Sequence, residues 1–200
     1  MPLSEYRKKR KFEQTPEPAG AEAPAARGGP SFAVQKHDAS QLHYDFRLEI
    51  GGVLASWAVP KGPSLNPANK RLAMSVEDHP LEYGAFEGTI PEGNYGAGTV
   101  MLWDQGAWAP EGDLTAEEQL ARGEIKFALH GNKLRGSFAL VHTGKRMADP
   151  RRKNQWLLIK HRDEFADPDW DIEAHDGSVA TGRTMNEIAE GRPAHKRARG

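Results

Sequence analysis

Nine residues, Leu42 to Ile50 (LHYDFRLEI), set the terms for this chain. Tyr44, Phe46, Leu48 and Ile50 alternate with His43, Asp45 and Arg47. Successive side chains of a β-strand point to opposite faces. One face of this segment can therefore enter a core. The other face holds titratable groups in a row, spaced about 6–7 Å from one to the next.

Other stretches read the same way. FAVQK (32–36), LHYDFRLEI, VLASWAV (53–59), KRLAMSVE (70–77), TVMLWDQGAW (99–108), EIKFALH (124–130), LRGSFALVHT (134–143) and QWLLIKH (155–161) are all strand-like. Gly51-Gly52 between two of them predicts a tight hairpin turn. Many short strands with few helices imply a mainly β fold. We expect a compact antiparallel β-barrel of about eight strands with a few short flanking helices; a two-layer sandwich is the alternative. Two helices carry capping-box starts, Thr115 with Glu118 and Thr184 with Glu187, and both stop at glycine. The glycines at 84, 88, 93, 96 and 98 include GNYGAG, which precedes a strand and opens no helix. It reads as a run of β-turns and not as a phosphate-cradling loop. DPRRKN (149–154) reads as a basic loop between strands.

Charge divides the chain into three parts. Residues 1–30 carry YRKKRKF and a stretch rich in Pro, Ala and Gly, a composition expected of a flexible, solvated arm. Its alternative use is to close over a site when nucleic acid binds. Residues 192–200 form a basic tail or linker with four Lys/Arg and no acid. Between them, residues 31–191 form one domain with 17 basic and 24 acidic residues, net −7. An acidic body argues against broad, non-specific coating of DNA. It leaves room for an enzyme that grips a strand end locally. No apolar run is long enough to span a bilayer and no signal-peptide pattern opens the chain, so no membrane role and a cytoplasmic setting are expected. The absence of cysteine leaves His, Asp and Glu as the candidate metal ligands.

The polar face of 42–50 carries the chemistry. His43 and Asp45, at His-x-Asp spacing, can offer a nitrogen and an oxygen to one ion. Asp38-Ala39-Ser40 favours a turn, which can fold His37 back toward them. Arg47 lies one step further along, and a guanidinium beside a metal suits a phosphate. VEDHPLEY (76–83) supplies His79 as proton donor or phosphate contact and Tyr83 as hydrogen-bond donor. Lys61 and Arg71 flank the region as backbone contacts. The histidines at 130, 142, 161, 175 and 195 have no ligand-spaced neighbours and read as surface residues. Three readings stay open at this point. One is phosphoryl transfer with the metal as Lewis acid. Another is a non-haem iron oxygenase using His43, Asp45 and a distant His79 as its triad. The last is a module that binds DNA ends without acting on them.

QKHDASQLHYDFRLE, SWAVPKGPS, KRLAMSVEDHPLEYGAFEGTIPEGNYGAGTVMLWDQGAW and QWLLIKHRDE together closely resemble the 3′-phosphoesterase module of bacterial DNA ligase D, over roughly residues 5 to 190. The resemblance implies a β-barrel with a crescent-shaped groove that heals DNA 3′ ends in non-homologous end joining. The implied reaction removes a terminal ribonucleoside and then the remaining 3′-phosphate. Mn²⁺ is the implied cofactor, with Co²⁺ or another divalent transition metal as substitute. It further implies His37, His43 and Asp45 as metal ligands. Arg47, His79 and Tyr83 are implied as phosphate-binding and transition-state groups, and Lys61 and Arg71 as supporting contacts. Implied partners are DNA 3′ ends, ligase and polymerase domains, and Ku, for a nucleoid-associated, monomeric protein. The family's arm carries Arg-Asp-Phe followed by Thr-Pro-Glu-Pro. This chain has Arg10-Lys11-Phe12 and Thr15 to Pro18, so Arg10 and Glu17 are kept and Lys11 replaces the acid.

Overall fold

The computed structural model describes residues 3–20, 29–144 and 152–195. Strand β1 (Ser31–Asp38) and strand β2 (Leu42–Ile50) form an antiparallel hairpin closed by residues 39–41. Its register sets Ala33 opposite Arg47, Gln35 opposite Asp45 and His37 opposite His43. Gly51 and Gly52, at φ 59° and 80°, make the turn into β3 (Val53–Val59), a left-handed pair that residues with a Cβ rarely adopt. Then follow β4 (Lys70–Ser75), β5 (Gly88–Ile90), β6 (Gly98–Pro110), β7 (Glu124–Gly131), β8 (Arg135–His142) and β9 (Gln155–Lys160). The sheet order is β1-β2-β3-β4-β9-β8-β7-β6-β5, and β1 also pairs with β6. That last pairing closes eight strands into a barrel and abolishes its open edges.

Inside, Phe46, Trp57, Trp103, Trp108, Phe127 and Phe138 are at most 2% exposed. Each contributes about 1.5–3 kcal/mol by leaving water. Tyr44, Phe46, Leu48 and Ile50 face this core, as their alternation requires. Helix α2 (Ala116–Arg122) starts at the Thr115–Glu118 capping box and ends on left-handed Gly123. Helix α3 (Met185–Ala189) starts at the matching Thr184–Glu187 box. Among the described residues, no helix is long and apolar enough to cross a membrane.

Three details differ from the sequence reading. β5 is a ninth strand of three residues, hidden inside the Gly-punctuated loop because its alternation is too short to register. His142 is 9% exposed and not a surface residue: its Nε2 donates to the Lys153 carbonyl at 2.7 Å and its ring meets Trp156 edge-on. The described part of the arm is docked, with helix α1 at Ser4–Lys8. Tyr6 is fully buried against Leu54 and Tyr83, and its hydroxyl donates to the Pro18 carbonyl at 2.6 Å. The aromatic rings at 6 and 12 make the difference. They give a Pro- and charge-rich segment enough apolar surface to settle on the barrel. Residues 21–28 of the arm, 145–151 across the basic loop and 196–200 of the tail lie outside the described residues.

Candidate active site

A cavity of about 270 Å³ opens on the polar face of β2. Its walls include His37, His43, Asp45 and Arg47 from the hairpin, Glu77, His79 and Tyr83 from the segment after β4, Arg10 and Glu17 from the arm, and Tyr95 and Gly96. Period two puts His43, Asp45 and Arg47 on one face, and the hairpin register adds His37 and Gln35 from the neighbouring strand.

Each imidazole has one nitrogen committed to a backbone carbonyl. His37 Nε2 lies 2.9 Å from the Gly96 oxygen, and His43 Nδ1 lies 2.9 Å from the Gln41 oxygen. A carbonyl can only accept, so those nitrogens carry the protons. The other two nitrogens are His37 Nδ1 and His43 Nε2. Each faces an Asp45 carboxylate oxygen at 3.6 Å. When deprotonated, those two nitrogens and the carboxylate offer three lone-pair donors to one point, an arrangement that suits a cation. Among the described residues this is the one group of three or more His, Asp or Glu whose donor atoms, all within 4.8 Å of one another, suit one ion. Two donors each about 2.1 Å from a shared ion stand roughly 3–4 Å apart, and each imidazole nitrogen lies 3.6 Å from its carboxylate oxygen. The second nitrogen fixed by a carbonyl is the usual support for a histidine ligand. Burial works against the charged form of Asp45, but the Arg47 guanidinium and the two histidines hold its carboxyl well below the usual range.

Arg47 is 1% exposed. Its Nε donates to Gln35 Oε1 at 2.6 Å, one terminal nitrogen to Ser56 Oγ at 2.8 Å and the other to Asp45 Oδ2 at 3.0 Å. Three of its five N–H groups are thus used in holding it. One N–H on each terminal nitrogen remains.

His79 is held differently. Its backbone bridges to Leu54 in both directions, at 2.8 and 3.0 Å. Its Nδ1 donates to the Glu77 carbonyl at 2.9 Å, so Nε2 must accept, and it does so from Arg10 at 3.2 Å. Burial, followed by the charges of Arg47 and Arg10, pushes its pKa well below the ordinary imidazole value. His79 is therefore neutral at rest. It does not join the three-donor cluster, so the triad built on His43, Asp45 and His79 is not formed. Tyr83, 3% exposed, stands edge-on to His79 at 4.7 Å and 4.9 Å from the Arg47 guanidinium; burial pushes its hydroxyl pKa up. Arg10 is steered by Glu17 Oε1 at 2.8 Å, and Thr15 donates to the other Glu17 oxygen at 2.8 Å. Lys11 is exposed.

The structure thus gathers eight of the ten sequence candidates around one cavity, and the two exceptions are both basic. Lys61 and Arg71 line a separate depression with Pro60, Asn69 and Lys70. Four contributors were not singled out from sequence: Gln35 and Ser56, which hold Arg47, and Gly96 and Tyr95. Gln35 was within reach, since it lies two residues before His37 and so on the same strand face. Gly96, at φ 74°, shows that the turn run also serves the site by orienting His37.

Residues 35–142 match the family described as the DNA Ligase D 3′-phosphoesterase domain. The chain belongs to that family. It is similar to the multifunctional non-homologous end joining protein LigD of Pseudomonas aeruginosa, 55% identical over 163 residues, which are 81% of this chain and 19% of that protein. The corresponding Mycobacterium tuberculosis DNA repair protein is 46% identical over 154 residues, 76% of this chain and 20% of its own length. A Mycolicibacterium smegmatis relative is 45% identical over 158 residues, 76% of this chain and 21% of its own. The chain therefore spans about a fifth of the length of the curated relatives it matches.

Proposed function

We propose that this domain is a metal-dependent phosphoesterase that heals DNA 3′ ends. It removes a 3′-terminal ribonucleoside, leaving a 3′-phosphate, and then that phosphate, leaving the 3′-hydroxyl that a ligase needs. The observation that carries the reading is the convergence of two imidazole nitrogens and a carboxylate beside the two remaining N–H groups of Arg47. Held by His37, His43 and Asp45, a divalent ion such as Mn²⁺, or Co²⁺ in its place, supplies Lewis-acid polarisation of a phosphoryl oxygen.

The protein groups then have distinct tasks. Arg47 presents two N–H groups to non-bridging oxygens and strengthens that contact as charge develops. Tyr83, kept protonated by burial, donates to a phosphoryl oxygen. His79 begins as an acceptor capped by Arg10. An arriving phosphate draws Arg10 to itself and offsets both guanidinium charges, and Nε2 can then hold a proton against the phosphate. Lys61 and Arg71, outside the cavity, serve the strand backbone further from the reacting atom. The same reading makes the domain one processing module of a longer polypeptide with ligase and polymerase domains, acting with Ku at double-strand ends. The multifunctional names of the relatives, and the fifth of their length that this chain spans, support it.

The test is a labelled primer ending in a ribonucleotide or a 3′-phosphate, incubated with pure protein and each divalent metal in turn. Conversion of both ends to 3′-hydroxyl with Mn²⁺ is expected. Binding without conversion under every metal would leave a module that only holds ends.

A further inference from the structure

We propose that Tyr95 is a stacking platform for a nucleobase that adjoins the phosphate bound in the cavity; this rests on the reading above that the substrate is a nucleic-acid strand end. The chain has four tyrosines. Tyr6, Tyr44 and Tyr83 are 0–3% exposed, whereas Tyr95 is 48% exposed while lining the same cavity as Arg47 and His79.

Its position is fixed relative to the donor cluster. The next residue, Gly96, takes the His37 Nε2 proton through its carbonyl. The turn that carries the ring is closed by Asn94 N to Pro91 O and Ala97 N to Asn94 O, at 3.3 and 3.2 Å. Asn94 also donates to the Gln14 carbonyl of the arm at 3.4 Å. One peptide unit thus separates a ligand's support from the exposed ring. Two cations lie over the ring in cation–π contact, Lys9 Nζ at 4.9 Å and Arg10 Cζ at 5.3 Å from its centroid, and the side chain is nonetheless 48% exposed. A half-exposed aromatic ring with cations beside it is the combination that grips single-stranded nucleic acid. Bases stack on the ring while phosphates meet the positive charge, and because every base has a π face, such a site tolerates any sequence.

The test is a double-mutant cycle. Tyr95→Ala and Tyr95→Phe are compared with the parent on a primer ending in a ribonucleotide and on two analogues. One analogue lacks the terminal base and the other lacks the base before it. Both kcat/KM and primer affinity by fluorescence anisotropy are read. Tyr95→Ala should weaken the intact primer about 10-fold, the scale of one base–aromatic stack, with the loss in KM and kcat held within about 2-fold. On one of the two analogues it should cost almost nothing further, and that analogue identifies the stacked base. Tyr95→Phe should behave as the parent. An equal loss on all three primers would overturn the proposal, because the ring would then act only by holding Lys9 and Arg10. A Tyr95→Phe variant as weak as Tyr95→Ala would overturn it too, assigning the effect to the hydroxyl. If no primer is cleaved but anisotropy shows the coupling, the phosphoesterase reading fails and the platform stands. Cleavage without coupling has the opposite meaning.

Discussion

The two walls of the cavity are built on different principles. His37, His43, Asp45 and Arg47 come from one hairpin, and their relative positions follow from strand period and register. Arg10, Glu17, Glu77, His79 and Tyr83 come from segments far apart in sequence; Arg10 and His79 are 69 residues apart. The hairpin wall is part of the closed barrel and can loosen only as the barrel does. The arm wall rests on Tyr6, Phe12 and a few ion pairs, so it can open at a smaller local cost. On the proposed function, the metal donors then sit on the rigid wall and the adjustable phosphate contacts on the docked one.

If that division holds, substitutions on the two walls must differ in kind. The largest effect is expected at Asp45. Asp45→Asn keeps the volume and a partner for Arg47 but removes the charge from the donor set. Turnover should fall about 10³-fold, matching several kcal/mol of metal assistance, and Mn²⁺ affinity by calorimetry should fall with it. Undiminished Mn²⁺ affinity would remove Asp45 from the ligand set. Arg47 comes next. Arg47→Ala should lose roughly 10²–10³ in rate, the scale of one transition-state donor, while Mn²⁺ still binds. It also strips Asp45 of a buried partner, a change that costs about 3–5 kcal/mol when nothing replaces it, so Arg47→Lys is the cleaner variant. It should recover part of the rate, because a single ammonium cannot reproduce the planar fork. A Lys variant equal to the parent would reduce Arg47 to a point charge.

Arm variants should be weaker and of another kind. Arg10→Ala and Glu17→Gln should each slow turnover about 10–100-fold, the scale of a hydrogen bond to a charged group, with Mn²⁺ affinity unchanged. A drop in Mn²⁺ affinity would show the two walls to be one unit. The smallest effect concerns pH. His79 is held below its unfolded value of about 6.5. Below that pH the unfolded chain therefore binds a proton that the folded protein refuses. Stability is complete above about pH 6.5 and falls as pH drops, by at most about 1.4 kcal/mol per unit. Asp45 acts in the same direction, but only below about pH 4. Urea midpoints at pH 7.5 and 5.5 should differ in the parent and differ less in His79→Gln.

The residues themselves point to the hairpin wall, whereas Arg10 and Glu17 of the arm wall are reached only through the family resemblance, for the same reason. Alternation is local, so β2 and β3 were read with their observed limits and the polar face of β2 with its occupants. Docking is not local. Nothing in YRKKRKF says that Tyr6 will be buried, or that Arg10 will meet a histidine 69 residues on. Lys61 and Arg71 failed to reach the cavity because closeness in sequence to β3 and β4 says little about which side of the barrel a side chain serves. Turn chemistry accounts for the Gly93–Gly98 run without its tyrosine, so nothing local in the sequence marks the Tyr95 ring as part of the cavity.

The three-residue turn between β1 and β2 bears on how such a protein can change over generations. Substitutions in the hairpin alter one side chain at a time. Loss or gain of a single residue within β2, between Tyr44 and Arg47, is another matter. Every side chain beyond it exchanges faces, delivering Arg47 to a core of tryptophans and phenylalanines and Phe46 or Leu48 to the cavity. With β1 on one side and β3 on the other, the strand has no free edge along which to slide and absorb the error. Inheritance can therefore vary the letters of this hairpin but not their number. Changes of length are left to places such as the exposed turn at Gly112 and Asp113, far from the metal donors in sequence.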